Sequence, residues 1–480
     1  MGAREAPAAG GRDQPEAREA NWAVQEFAAA NLGDARRTVR LIDLAQRLGA
    51  RPSASLPEAC GDAAALKAAY RFFENAAVSD TAILASHLQA TQQRVAQEPV
   101  VLAVQDTTLL DWTHHPATTG LGMLGDVTHQ GLVVHSTLAI TPQRVPLGLV
   151  AQQVWTRDPA QVGKKHQRHQ RPTAEKESQK WLTSLQALAP LQAACPGVHL
   201  VSVGDREADL FDLFALERPA GVDLLVRAVQ NRRVAEPEGV LWAAVAAVPV
   251  AGEQTVVIPR QAGQPARTAH VSVRFRAVTL HAPAARVAEH LAPVALWAVT
   301  VEEEDPPPDV EPVRWRLLTT CPVTCWAEAL ERVEWYACRW TIEVWHKVLK
   351  SGCRLEARQL ETGDRLRRCL ALYDVIAWRV LWASLLARTL PEAPCTALLD
   401  RTEWHALWCA IHHLPTPPAA PPTLSQAVRW IAQLGGYLAR RHDGPPGVTV
   451  LWRGFQHLFD LSTMYAIMQP ALPSRDVGKD

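Results

Sequence analysis

Three carboxylates in this chain stand where their surroundings give them a chemical use. Asp106 follows the short apolar run of residues 100–104, and Asp205 follows residues 198–203. Each run reads as a buried strand, and open α/β sheets place their chemistry at such strand ends. A single Asp there also serves as a turn former, so the signal is the pair. The third carboxylate is Glu343. Tyr336, Arg339, Glu343 and Lys350 follow one another at spacings of 3, 4 and 7. At about 100° per residue they share an arc of roughly 60° on a helix, and Val333, Ile342, Val344 and Val348 can pack away from it. Such a stripe can bind a metal through its carboxylate and phosphates through its neighbours. It can equally be a solvent-facing stripe with an Arg339–Glu343 helix pair. Three carboxylates suit phosphodiester chemistry. Magnesium prefers oxygen ligands and keeps several waters, and two such ions roughly 4 Å apart can activate an attacking oxygen and stabilise a leaving one.

The elements that must position these residues are legible as patterns. Asp34 can cap a helix running to Leu48, with Gly49 ending it, and a second helix spans about Asp62 to Asn75. Arg36, Arg40 and Arg47 fall on one stripe of the first helix, which as a pattern alone reads more readily as a solvated face. Beyond the strand that ends at Asp106, residues 131–140 and 145–155 read as β. A polar stretch with Lys164, Lys165, Arg168 and Arg171 reads as an exposed basic loop leading into a helix over 173–188. The strand at 198–203 ends at Asp205. Residues 222–228, 255–259, 270–280, 294–301 and 315–320 read as strands, with Pro306, Pro307 and Pro308 marking a loop. One helix is expected from Trp326 to about Lys350, stopped by Ser351-Gly352. The remainder is helical, with a proline-rich linker at 415–422 separating off a last segment.

Composition bounds the possibilities. The 480 residues suffice for two or three domains, and 48% hydrophobic with 20% charged residues is globular rather than disordered. Lys plus Arg, at 49, equals Asp plus Glu, at 49, so any nucleic-acid surface must come from local charge segregation. Nine cysteines, an odd number, fit reduced thiols in a cytoplasmic protein better than a disulfide framework. Cys321 and Cys325 invite a zinc reading, but no second ligand pair follows at finger spacing. No signal peptide and no long uncharged apolar run is evident, which speaks against secretion or a membrane span. Trp315 begins an apolar strand, where its default role is core packing.

At these residues the chain resembles the insertion-sequence-four family of bacterial DDE transposases, the transposon-five-like group, over about residues 22–468. Tyr336-Ala-Cys-Arg339-Trp-Thr-Ile-Glu343, followed by Lys350, matches the family's Y-(2)-R-(3)-E-(6)-K signature. Asp106-Thr107-Thr108 is similar to its first catalytic block and Asp205-Arg206-Glu207-Ala208-Asp209 to its second. Glu175-Lys176-Glu177-Ser178 with Lys180-Trp181, Gly33-Asp34-Ala-Arg36-Arg37 and Ala69-Tyr70-Arg71-Phe72 are also similar to family segments.

The resemblance implies an α/β fold with an RNase H-like catalytic core over residues 91–385 and a large β-rich insertion at about 222–320. Before the core it implies a helical transposon-end DNA-binding domain over 19–90, preceded by residues 1–18, which by their Ala, Gly, Glu and Arg composition without apolar period read as a disordered tail. After the core comes a helical dimerisation domain over 386–480. It implies cut-and-paste transposition by nicking, hairpin formation, hairpin opening and strand transfer. The alternatives are an RNase H-like nuclease without strand transfer and a non-catalytic DNA-binding relic or inhibitor. Asp106, Asp205 and Glu343 would hold two Mg2+ ions, with Mn2+ able to substitute. Tyr336, Arg339 and Lys350 would contact phosphates, Trp315 would stack on a flipped base, and Arg227 would lie near the transferred end. Arg36, Arg37, Arg40 and Lys180 are further DNA contacts. The implied partners are transposon-end DNA, target DNA and a second copy of the chain in the synaptic complex, with no membrane.

Overall fold

Side-chain caps set the first helices. In the computed structural model, which describes residues 21–126, 128–158, 175–258, 267–308 and 310–468, α1 (Trp22–Phe27) starts at Asn21 and α2 (Ala35–Ala50) at Asp34. Next come α3 (Leu56–Cys60), α4 (Ala63–Glu74) and α5 (Asp80–Val95), capped by Ser55, Asp62 and Ser79. Each cap accepts one of the N–H groups that a helix start leaves without a partner. Gly49 does not end α2. The helix runs on to Ala50, and the glycine lets Trp22 lie against the backbone, where a Cβ would stand 2.6 Å from the indole. The expected tail and the basic stretch with Lys164, Lys165, Arg168 and Arg171 lie outside the described residues.

The strands then build one large mixed sheet. They are β1 (Val100–Asp111), β2 (Gly122–Met123), β3 (Gln130–Ile140), β4 (Pro146–Trp155), β5 (His199–Gly204) and β6 (Val222–Arg227), followed by β7 (Gly252–Ile258), β8 (Arg267–Leu280), β9 (Val294–Glu303) and β10 (Arg314–Thr319). The order is β2-β3-β1-β5-β6-β10-β9-β8-β7, with β4 also on β3. β5 pairs parallel with β1 and with β6, and the other ladders are antiparallel. β6 therefore belongs to the parallel centre rather than to the β-rich insertion. The segment after it extends the same sheet through β10, which pairs with β6.

Both faces of the centre are covered, as parallel strands require. Side chains alternate along β1. Val101 and Ala103 join Leu200, Leu224 and Val226 on one face. Against them pack α6 (Gln179–Gln186), α7 (Leu188–Ala194), α8 (Phe211–Ala215) and α9 (Leu241–Ala246). Leu102, Val104, Val201 and Val203 face the other way, toward α10 (Trp326–Ala337), α11 (Trp340–Lys347) and α12 (Gly363–Thr389). Burying one such aliphatic side chain contributes about 1.5–3 kcal/mol. By length and composition α12 could cross a membrane, but 89% of its apolar window is buried. It is a core helix, apolar nearly all round for that reason.

The helix expected over 326–350 is not continuous. Arg339, Thr341 and Ile342 donate to carbonyls three residues back, at 3.0–3.1 Å, so the chain tightens between α10 and α11. Residues Val348–Gly352 then widen into a π turn, an irregularity frequent at functional sites. The C-terminal helices are α13 (Arg401–His412), α14 (Leu424–Leu434) and α15 (Val448–Met468). The proline-rich stretch does not separate them. Cys395 donates to the Pro422 carbonyl at 2.9 Å, and α13, α14 and α15 share one core with the end of α12.

Candidate active site

Register brings the first two carboxylates together. β1 and β5 are paired in parallel up to Val104 and Val203, and the same offset carried two residues on sets Asp106 beside Asp205. β5 stops at Gly204, so Asp205 is free to cap the short turn Arg206–Ala208, accepting the Glu207 N–H at 2.8 Å. Gly204 permits that turn to fold back, since a Cβ there would meet Ala208 at 2.5 Å. Asp106 is not at the end of its strand, contrary to the sequence pattern. β1 runs five residues further because β3 continues to pair with it, Asp106 opposite Ser136.

The electrostatics of the two differ. Burial pushes the Asp205 carboxyl up and the charge of Asp106 pushes it further, against the Glu207 amide and Arg339, so its pKa is raised. Burial acts the same way on Asp106, but His346 and Arg339 outweigh it and hold its pKa below the usual carboxylate value. His346 Nδ1 lies 3.5 Å from Asp106 Oδ2, the outer limit of hydrogen-bonding reach. Its side chain is 8% exposed, and its Nε2 has no partner among the described residues.

Glu343 comes from the opposite layer, on α11. Its Oε1 accepts from Arg339 Nη2 at 2.7 Å, and the positive charge of Arg339 also acts on Asp106 and Asp205. The expected solvent-facing alternative fails on burial. Tyr336 is 3% exposed and Arg339 9%, while the helix pair itself is present. Lys350, in the π turn, donates to the Leu109 carbonyl at 2.8 Å and pairs with Glu356 at 3.1 Å, tying the turn to the end of β1. Trp315, half-buried on β10, sets its ring edge-to-face against Tyr336 with centroids 5.6 Å apart. Trp340 opens α11 and is 45% exposed, an unusual position for an indole.

A buried floor supports Asp106. His135 contacts Thr107 Oγ1 at 2.9 Å and Gln105 Oε1 at 3.2 Å, and Gln105 donates to Ser202 at 2.7 Å. Burial, with Lys180 nearby, lowers the His135 pKa to about 3, which keeps the imidazole neutral.

Other expected contacts fall elsewhere. Lys180 is 8% exposed and its Nζ pairs with Glu207 at 2.9 Å. It steadies the Asp205 turn and is not an exposed phosphate contact, because a buried ammonium needs its partner. Arg227, at the end of β6, donates to the Arg314 carbonyl at 2.9 Å. Arg36, Arg37 and Arg40 line a groove of about 590 Å³ with Lys67 and Arg71, between α2 and α4. Arg36 pairs with Asp34 at 2.8 Å while 92% exposed, and Arg40 with Asp43 at 2.9 Å. Exposed pairs of this kind contribute little and exchange readily, so the groove presents five cations against Asp34.

The two ends of the chain each match a known family. Residues 19–78 match the family described as transposase DNA-binding, and residues 375–466 match the transposase Tn5 dimerisation domain. At both ends the chain is thus similar to Tn5-like transposases. The first match takes in the helices that form the cationic groove, and the second begins inside α12 and takes in α13, α14 and most of α15. Together they support DNA as a partner and a homodimer as the assembly.

Sequence reasoning missed His346 and Trp340. His346 lies three residues beyond Glu343, one helical turn on, a spacing that could have drawn attention to it. Trp340 sits inside the signature itself.

Proposed function

We propose that the chain is a transposase that cuts and rejoins DNA at transposon ends through an RNase H-like centre in which Asp106, Asp205 and Glu343 hold two Mg2+ ions, with Mn2+ able to substitute. The observation that carries this is the convergence on Arg339 of three carboxylates from three separate elements, one on β1 and one just past the end of the neighbouring parallel β5. The strand order supports the core assignment: three antiparallel strands, β4, β3 and β1, are followed by the parallel β5 and β6.

The donor set fits hard divalent cations. All three groups offer oxygen, as Mg2+ prefers, and the Asp205 pKa, raised chiefly by burial and further by the charge of Asp106, marks a carboxylate whose ionised form a cation would stabilise. Their ligand atoms are not gathered within 4.8 Å of one another, so the proposal of two ions rests on the donor chemistry and on the resemblance. When bound, the ions supply Lewis-acid stabilisation of the attacking and leaving oxygens. The protein's residues do the rest. Arg339 and Lys350 hold phosphate oxygens, and His346 orients Asp106. The His135–Gln105–Ser202 floor keeps the strand that carries Asp106 from shifting.

Four in-line displacements at phosphorus follow. Water cuts one strand, and the freed 3′ hydroxyl attacks the opposite strand to form a hairpin. A second water opens the hairpin, and the same 3′ hydroxyl attacks target DNA. Trp315, braced by Tyr336, takes up a base extruded at the hairpin, and Arg227 lies near the transferred end. Arg36, Arg37 and Arg40 hold the transposon end through its phosphates.

Inverted repeats flanking the gene give the substrate for the test. Purified chain is incubated with that DNA and Mg2+, and products are resolved on denaturing gels. Nicked, hairpin and joined species are expected. Cutting without joining would reduce the assignment to a nuclease, and binding without cutting would overturn it.

A further inference from the structure

Cys321 and Cys325, whose spacing invites a zinc reading, do not come together. Cys325 is exposed, and the buried thiol of Cys321 is met by two residues from elsewhere, His199 and Asp223, at the end of the sheet away from Asp205. The ligand atoms of His199, Asp223 and Cys321 all lie within 4.8 Å of one another, the one such group among the described residues. We propose that His199, Asp223 and Cys321 form a second metal site, for a zinc-class cation, independent of the three-carboxylate centre.

Topology brings them together from three strands. His199 is the first residue of β5, Asp223 the second of β6, and Cys321 follows β10, which runs antiparallel to β6. The carboxylate sits in the middle. Its Oδ2 meets His199 Nε2 at 2.8 Å, and the Cys321 thiol is also directed at it. Two protons thus stand where a cation would bridge the same three groups. The remaining oxygen, Oδ1, accepts from Thr320 Oγ1 at 2.5 Å, and the Cys321 amide donates to Thr319 Oγ1 at 3.1 Å. Hydrogen bonds of this second rank orient metal ligands and tune them.

The donor chemistry is selective. Zinc takes Cys, His and Asp donors at about 2.0–2.3 Å in a tetrahedron, so the cluster needs to close by roughly an ångström. Thiolate and imidazole favour zinc or cobalt over magnesium, which prefers oxygen throughout. Thiolate and carboxylate together balance a dication. On binding, the thiol proton leaves to solvent and the imidazole proton resides on Nδ1. His199 and Asp223 keep about a third of their side-chain surface exposed, which gives the ion an entry path and a water for its fourth position. The guanidinium of Arg218 is the opposing charge, and it is held away by bonds to the Phe214 and Leu216 carbonyls at 3.1 and 2.9 Å. A metal here would clamp β5, β6 and the link from β10 to α10, the helix that carries Tyr336.

The test uses the full chain, reduced and freed of metal by chelation, in excess Mg2+ so that the oxygen site is saturated. Titration with Co2+ should give one equivalent with a thiolate-to-cobalt charge-transfer band and tetrahedral visible absorption. Zinc should then bleach both. His199→Gln should weaken cobalt binding by about a hundredfold or more, beyond the roughly 10–100-fold typical of losing a mere orienting partner. Cys321→Ser should remove the charge-transfer band, while Cys325→Ser and Asp106→Ala should keep it. No charge-transfer band in folded wild type, or a band that survives Cys321→Ser, overturns the proposal. If Cys321→Ser does not fold, unchanged cobalt affinity in His199→Gln does so. Because the readout is spectroscopic, its failure leaves the DNA chemistry untouched, and loss of DNA cutting leaves this site untouched.

Discussion

Arg339 Nη2 donates to Glu343 Oε1 at 2.7 Å, one helical turn apart, and the same guanidinium acts to lower the pKa of both Asp106 and Asp205. The pair therefore does more than stabilise a helix surface, where such contacts contribute only about 0.2–0.5 kcal/mol. It sets the guanidinium of the signature at the meeting point of three acids. If those acids serve metal ions rather than the fold, replacing any of them removes chemistry and spares binding. Asp106→Ala, Asp205→Ala and Glu343→Ala should each reduce nicking and strand transfer by more than the roughly 10–100-fold cost of losing an outer-sphere partner. Affinity for end DNA should stay within about twofold. Near-normal cleavage in Mg2+ by any one variant removes that residue from the set.

His346 gives a finer test. It lies 3.5 Å from Asp106 while its other nitrogen has no partner among the described residues, and the role proposed for it is to orient that carboxylate. His346→Asn keeps a donor but shortens it, and should cut the nicking rate by roughly 10–100-fold. The Mg2+ concentration for half-maximal rate should rise in parallel, which a purely structural defect does not produce. A melting curve beside the kinetics separates the two. An unchanged metal requirement would leave His346 as packing.

The cationic groove predicts a salt effect. Arg36, Arg37 and Arg40 face the same space as Lys67 and Arg71. Replacing the three by Ala should lower the slope of log affinity against log salt by about 0.9 for each phosphate that is no longer neutralised, or roughly 3 in all. Affinities measured across a salt series check this. An unchanged slope returns the three arginines to a solvated surface, Arg36 paired with Asp34 and Arg40 with Asp43.

Much of this centre is legible in the sequence because the chemistry and the local period coincide. Asp106 and Asp205 follow apolar runs, and Glu343 lies on a helical stripe with Arg339. What stays hidden is what depends on partners far along the chain. Residues 222–228 read as a strand, but nothing in an apolar run says which strand it pairs with, so the pattern groups β6 with the insertion and not with β5. Gly49 carries a stop signal by type, yet its neighbour Trp22 determines its use. The proline-rich stretch between α13 and α14 reads as a linker, but truncation there would not be clean. Trp452 of α15 packs on Gly352, where a Cβ would stand 2.7 Å from the indole, so removing the last helices exposes the turn that carries Lys350. The cluster of His199, Asp223 and Cys321 spans more than a hundred residues of sequence, beyond any local motif.

Burial of His135 ties stability to pH. Its pKa falls from 6.5 to about 3 on folding, chiefly through burial. The unfolded chain then binds more protons between these values, so the contribution is fully present above about pH 6.5 and is lost as the pH falls toward 3. The slope is at most about 1.4 kcal/mol per pH unit. His135→Gln keeps hydrogen-bonding capacity and cannot titrate. Its melting temperature should fall less steeply than that of wild type from about pH 6.5 to 5. Parallel curves would mean that the imidazole does not stay neutral in the fold.

Trp315 separates hairpin chemistry from simple cleavage. Its ring leans edge-to-face on Tyr336, and it is only partly buried on β10. A core residue would make its loss global, costing stability and every step together. A base-stacking residue acts after the first nick, when the strand must fold back on itself. Stacking contributes about 1–3 kcal/mol, so Trp315→Ala should lower hairpin yield by roughly 5- to 150-fold. End binding and first-strand nicking should stay near wild type. Tyr336→Leu removes the brace without removing the indole, and should lower hairpin formation less, in line with an aromatic pair of about 0.5–1.5 kcal/mol. Denaturing gels that separate nicked, hairpin and double-strand-cut products read both variants, and melting curves show that they are folded. Normal hairpin yield in a stable Trp315→Ala protein would return the indole to packing and leave hairpin formation without an aromatic acceptor at this position.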